Sequence, residues 1–202
     1  MHMKQFVKEQ MNVEKFTGKA VEYDKFRPSY PRKLYRDILL EASLTKESII
    51  ADIGAGTGKF SLPFLQEGYK VFCIEPNADM KSIMDRNLGS FVHYVGLNAT
   101  AQKTMLLENS IDCIVVAQAF HWFDKKEFQK ECRRILKPFG KVFLVWNTRD
   151  ESAASTQELY AVNKKYCPNF KGFSGGVNFS DENKFNDFLK KVLIQLKNII
   201  MI

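Results

Sequence analysis

Asp52-Ile53-Gly54-Ala55-Gly56-Thr57-Gly58 sets three alternate glycines behind a carboxylate, and Glu75 closes the next apolar run. Glycines permit unusual backbone angles and let a ligand lie against the main chain. An acid at a strand tip can accept both hydroxyl hydrogens of a ribose. The flanks agree with that chemistry. Ser48-Ile49-Ile50-Ala51 precedes the glycines, Lys59 to Glu67 reads as a helix, and Tyr69 to Ile74 is a second apolar run. Strand, glycine turn, helix, strand and acid make a nucleoside-binding βαβ unit. A glycine turn without a ligand is the structural alternative. It leaves the agreement among turn, strands and acid unexplained.

Three cofactor classes use such turns. A dinucleotide site requires G-x-G-x-x-G, and counting from Gly54 and Gly56 places Lys59 where the third glycine belongs. A phosphate-cradling G-x-x-x-x-G-K-[ST] loop meets Ile53 at its first glycine and Phe60 at its hydroxyl position. What remains, Asp-x-Gly-x-Gly-x-Gly, resembles motif I of the class I S-adenosylmethionine-dependent methyltransferases. Their cofactor carries no phosphate and needs close backbone approach and carboxylates.

Further segments are similar to the small-molecule enzymes of the methyltransferase-11 group. Phe16 to Ala20, Tyr23 and Phe26 to Pro31 resemble their entry segment. Ala117-Gln118-Ala119-Phe120-His121-Trp122-Phe123-Asp124 resembles the segment after strand four, and Leu136 to Lys141 the L-K-P-G-G turn before strand five. The resemblance implies S-adenosylmethionine as cofactor and a role for each matching residue. Asp52 holds the turn or reaches the methionine ammonium. Gly54, Ala55, Gly56 and Gly58 admit the cofactor to the backbone. Glu75 takes the ribose hydroxyls, and Pro76 and Asn77 border the adenine. Ala101 and Gln102 take the adenine edge, although Ala99 stands for a glycine and Gln102 for the usual acid. Gln118 borders the methionine part, and Tyr23 and Arg27 close over the site. His121 is a candidate general base or, with Trp122 and Trp146, part of the substrate pocket. DNA amino- and base C5-methyltransferases are disfavoured, because Gln118-Ala119-Phe120-His121 stands where N/D-P-P-Y belongs and Cys113 lies mid-strand.

The elements that position these residues are read from periodicity. Helices are expected at Pro31–Glu41, Lys59–Glu67, Asn77–Arg86, Lys125–Leu136, Ser155–Tyr166 and Asp181–Lys191. Strands are expected at Ile49–Ile53, Lys70–Glu75, Phe91–Val95, Ile111–Ala117 and Lys141–Trp146. This alternation specifies an α/β, Rossmann-like, doubly wound and mostly parallel sheet with helices on both faces. The 202 residues fit one domain. Residues 1–44 form an entry segment and helix, 45–150 the cofactor core, and 151–202 a shortened substrate region. The resemblance implies an antiparallel hairpin at the C-terminal end, which this chain is too short to complete. The apolar tail from Val192 to Ile202 can form one strand, cover a sheet edge, or pair with a second copy.

Formal charge is +7. From Phe123 to Lys141, seven basic residues face three acidic ones, but Phe123 and Phe128 fall with Cys132, Ile135 and Leu136 on the inward side of an amphipathic helix, so a solvated helix face is favoured over a nucleic-acid surface. No apolar run is long enough to span a bilayer, the N-terminus lacks a signal-peptide core, and Cys73, Cys113, Cys132 and Cys167 form no C-x-x-C pair. A cytoplasmic protein with reduced thiols and no metal is expected. The expected reaction is methyl transfer to a small-molecule acceptor, such as a carboxylate. The alternatives are a degenerate cofactor binder without turnover and a nucleic-acid-directed methyltransferase.

Overall fold

In the computed structural model, which describes residues 14, 17–150, 152–172 and 194–201, strands alternate with helices along the chain. The order is α1 (Ala20–Phe26), α2 (Arg32–Glu41), β1 (Ile49–Ile53), α3 (Leu62–Gln66), β2 (Lys70–Ile74), α4 (Ala78–Leu88), β3 (Tyr94–Leu97), β4 (Ile111–Ala117), a 3-10 turn (Phe120–Trp122), α5 (Lys125–Ile135), β5 (Leu136–Arg149), α6 (Ala154–Tyr166) and β6 (Ile194–Met201). The strands form one sheet in the order β3-β2-β1-β4-β5-β6. Every neighbouring pair is parallel. The expected helix Asp181–Lys191 lies outside the described residues.

Strand alternation divides the core into two layers. Ile50, Val71, Cys73, Val115 and Phe143 face one side, where Leu34 and Ile38 of α2, Phe64 of α3 and Met84 and Leu88 of α4 cover them. Ala51, Ile53, Ile114, Val116 and Leu144 face the other, against Phe128, Cys132 and Ile135 of α5. Burial on both faces explains why β1 and β4 read as continuous apolar runs. The C-terminal tail takes the first of its three expected forms. It lies as a single parallel strand along β5, with Val142 opposite Ile194 and Asn147 opposite Ile199, where the resemblance had implied an antiparallel hairpin.

Element boundaries differ from expectation, most instructively at four starts. The helix after the glycine turn starts only at Leu62, and residues 59–61 form turns, with the Leu62 N–H donating to the Gly58 carbonyl at 3.1 Å. The next helix begins one residue later than expected. Asn77 is its N-cap, accepting from the Met80 N–H at 3.0 Å, and a capping side chain outranks the preceding Pro76 as the start signal. Strand three begins at Tyr94 because Phe91 sits in a turn, its carbonyl accepting from the Tyr94 N–H. Strand five begins at Leu136. A register shift against Ile111 and Cys113 lets Lys137 to Gly140 enter the ladder as a bulge, with Phe139 at a φ of +67°.

One carboxyl is wholly enclosed by the core. Asp52 is wholly buried. Its Oδ2 accepts from the Ser61 hydroxyl at 2.6 Å, and Ser61 in turn accepts from the Cys73 thiol at 3.1 Å. Oδ1 has no partner. Burial pushes the Asp52 carboxyl up to about 7, the Ser61 hydroxyl opposing and the nearby Glu75 charge adding to the rise.

A Cβ on Gly58 would stand 2.5 Å from Leu88 Cδ1, in a backbone conformation that disfavours side chains. Gly58→Ala should therefore cost about 1–3 kcal/mol in urea denaturation. Asp52 in the folded state keeps a proton that the unfolded chain has released above about pH 4. Its contribution to stability is therefore greatest below that pH, falls as pH rises toward about 7, and is flat beyond. Asp52→Asn should remove that decline, worth on the order of a few kcal/mol, from the stability profile measured between pH 4 and 8.

Candidate cofactor site

At the carboxyl ends of β1, β2 and β4, where parallel sheets place ligands, lies a cavity of about 790 Å³ including its open mouth. Of the residues singled out from sequence, Tyr23, Gly54, Gly56, Glu75, Pro76, Ala101, Gln102, Gln118 and Trp122 line it.

Glu75 is the fixed point. Its Oε2 accepts from the Gly56 N–H and its Oε1 from the Asn77 N–H, both at 2.9 Å. These bonds set the plane of the carboxylate, and each oxygen keeps a further lone pair. Burial raises the Glu75 carboxyl above its ordinary range, and the two backbone N–H groups counter that rise by favouring the charged form. The turn is stapled to the same strand end, since the N–H groups of Gly54 and Ala55 both donate to the Ile74 carbonyl at 2.9 and 3.0 Å. The two cavity glycines differ in role. A Cβ on Gly54 would meet Ala119 Cβ at 2.6 Å, so this glycine lets the loop after β4 close in. At Gly56, with φ of +60°, the nearest atom to a Cβ is 3.9 Å away on Tyr23, which leaves bare backbone open to a ligand.

Gln118 lies at the end of β4 with a φ of +58°, strained for a residue with a side chain. Its backbone N–H donates to Val145, while its buried side-chain Nε2 has no partner. A donor left so is costly unless a ligand accepts from it.

Straps hold the entry segment over the cavity. Asn77 Nδ2 donates to Thr17 Oγ1 at 3.1 Å, the Gly18 N–H to Asp79 at 2.8 Å, and Lys59 Nζ to the Arg27 carbonyl at 2.8 Å. They place Tyr23 on the cavity wall, with the Arg27 guanidinium 5.2 Å above its ring.

The other candidates stand off the wall. Asp52 lies beneath the turn in the Ser61 network. Ala55 accepts the Gly58 N–H within the turn, and Gly58 packs on Leu88 and Met84. Asn77 caps α4. His121 is exposed, its ring centroid 4.4 Å from that of Trp122. Trp146 is 1% exposed and packs edge-on against Phe120 in the core. Met80, Thr100, Ala117, Ala119 and Phe123 line the cavity without having been singled out. Met80 and Phe123 carry no sequence signal that separates a ligand wall from a core.

Among the described residues, the lining holds one carboxylate, Glu75, and no lysine or arginine. A polyphosphate would meet repulsion there. S-Adenosylmethionine fits: a ribose for Glu75, a sulfonium and ammonium for a negative wall, and a carboxylate for the orphan Gln118 donor. Among the same residues no cluster of His, Cys, Asp and Glu is placed to hold a metal ion, and no helix is long and apolar enough to cross a membrane.

Comparison with known proteins agrees with this geometry. Residues 51–144 match the Methyltransferase domain family. A methyltransferase of uncharacterised activity from Mycobacterium bovis is 38% identical over 143 residues, 70% of this chain and 56% of the relative. A methyltransferase-like protein from Schizosaccharomyces pombe is 31% identical over 159 residues, 78% of this chain and 61% of the relative. The chain thus spans only a little over half the length of these relatives. Among solved structures, a protein from Methanococcus maripaludis described as an S-adenosyl-L-methionine-dependent methyltransferase superposes with a TM-score of 0.63 at 19% identity. That alignment covers 89% of this chain and 81% of the other, and it bears on the fold alone. A protein from Anaeromyxobacter dehalogenans described as a type II methyltransferase gives 0.56 at 28% identity over 70% and 57%. Residues 51–144 thus form a domain that matches the Methyltransferase domain family, and its β3-β2-β1-β4-β5 sheet with a cavity at the carboxyl ends shares the fold of the S-adenosyl-L-methionine-dependent methyltransferases among the solved structures.

Proposed function

We propose that the protein transfers a methyl group from S-adenosylmethionine to a small-molecule acceptor, specifically a carboxylate. The observation that carries this reading is the Glu75 carboxylate, fixed by two backbone N–H groups on a cavity wall that bears no cation among the described residues. Glu75 accepts the ribose hydroxyls. Pro76 and Met80 offer apolar surface to the adenine, and the Gln102 amide can both donate to and accept from its edge. Gln118 Nε2 donates to the methionine carboxylate, and Asp52 braces the turn from beneath through the Ser61 hydroxyl. Tyr23 covers the cavity and excludes water.

When bound, the cofactor supplies a methyl activated by the positive sulfur for in-line displacement. Trp122 and Phe123 then wall the acceptor end, and orientation provides much of the rate gain. A carboxylate acceptor is supported by two features. It is already deprotonated at neutral pH, so it needs no general base, and exposed His121 is not on the cavity wall. The Arg27 guanidinium over Tyr23 is also suited to pairing with a carboxylate.

Titration calorimetry with S-adenosylhomocysteine, with NAD and ATP as controls, tests the cofactor. The wild type should bind S-adenosylhomocysteine alone. Glu75→Ala should weaken it by roughly a hundredfold, from two lost charge-assisted bonds, and Glu75→Gln by less. Equal affinities would refute the ribose assignment. Incubation with methyl-labelled cofactor and a panel of small carboxylic acids should yield base-labile methyl esters, whereas label in added RNA or DNA would contradict the acceptor class.

A further inference from the structure

The segment between β3 and β4 carries Thr100, Ala101 and Gln102 onto the cavity wall, yet it lies outside every helix and strand of the sheet. An isolated bridge between Thr100 and Lys103 closes a two-residue turn with Ala101 and Gln102 at its tip. Such a turn is held by little unless its base is anchored. The anchor follows at once. Thr104 is wholly buried, and both its N–H and its hydroxyl donate to Glu131 Oε1 of α5, at 2.8 and 2.6 Å. The same hydroxyl accepts from the Leu106 N–H at 3.3 Å. Arg134 grips the carboxylate from the other side, Nε to Oε2 at 2.9 Å and Nη2 to Oε1 at 2.7 Å.

An acid at this place is not what α5 needs to pack. Its buried face is otherwise Phe128, Cys132 and Ile135, and Glu131 is only 7% exposed among them. Burying a carboxylate is unfavourable unless several donors compensate it. Here four hydrogen bonds do so, and two of them come from the loop that reaches the cavity. We infer that Glu131 is a positioning residue: through Thr104 it fixes the Ala101-Gln102 turn against the base end of the cavity, with Arg134 holding the carboxylate in place. The assignment of that end to the base rests on the function proposed above.

Hydrogen exchange read by mass spectrometry, together with calorimetric titration by S-adenosylhomocysteine, tests the inference in Glu131→Ala, Glu131→Gln and Thr104→Val. In Glu131→Ala, amide exchange should quicken across residues 98–107 while β1 and β2 exchange as in the wild type, and binding should weaken roughly tenfold. Glu131→Gln keeps an acceptor for Thr104 and should restore affinity to within roughly threefold. Thr104→Val, which loses only the hydroxyl, should fall between, so that the test stands even where Glu131→Ala folds poorly. Unchanged affinity in both Glu131→Ala and Thr104→Val would overturn the inference. So would faster exchange spread evenly through the sheet, or a glutamine variant no better than alanine. A wild type that fails to bind S-adenosylhomocysteine would overturn the cofactor reading instead, and the exchange of residues 98–107 would still judge the tether by itself.

Discussion

The Glu75 carboxylate, held between the backbone N–H groups of Gly56 and Asn77, is the constraint on which the rest of the site depends. Three elements converge on one side chain: the glycine turn after β1, the end of β2 and the start of α4. The acid must stay close to the surface of a buried cavity and keep its charge there, although burial opposes ionisation. Two backbone donors favour the charged form without a cation. A lysine or arginine would have stabilised the acid equally well, but it would have consumed the lone pairs that a ribose requires and would have repelled a sulfonium.

The sheet supplies rigidity, whereas the cavity walls come from segments without regular pairing. Each is tied down by a side chain from a neighbouring segment. Asn77 and Asp79 in and before the first turn of α4 hold Thr17 and Gly18, Lys59 holds the chain at Arg27, and Glu131 on α5 holds Thr104. Bonds of this kind substitute for the ladder that a loop lacks. They also leave the two ends of the cavity anchored to different helices, α4 on one side of the sheet and α5 on the other.

Much of this was legible in the residues. The strands are continuous apolar runs because both faces of the sheet are covered, and the glycine spacing with Glu75 located the cavity floor. Other features depend on tertiary geometry. Trp146 shares its sheet face with Val142 and Leu144, so strand alternation places it in the core; its position near a strand end had suggested the ligand side. The 3-10 turn Phe120–Trp122 buries Phe120, presents Trp122 to the cavity and leaves His121 outside, and a three-residue turn gives no periodicity from which to read that. Asn77, expected at the adenine, is taken up by its cap. Glu131 did leave a trace, an acid on the apolar face of an amphipathic helix with Arg134 one turn later, but only the fold reveals that Thr104 is what it holds.

The central claim is tested most directly by a crystal structure of the protein with S-adenosylhomocysteine. The account predicts both ribose hydroxyls within hydrogen-bond distance of Glu75 and the methionine carboxylate at Gln118 Nε2. A ribose turned away from Glu75, or a ligand bound outside the cavity at the ends of β1, β2 and β4, would contradict it.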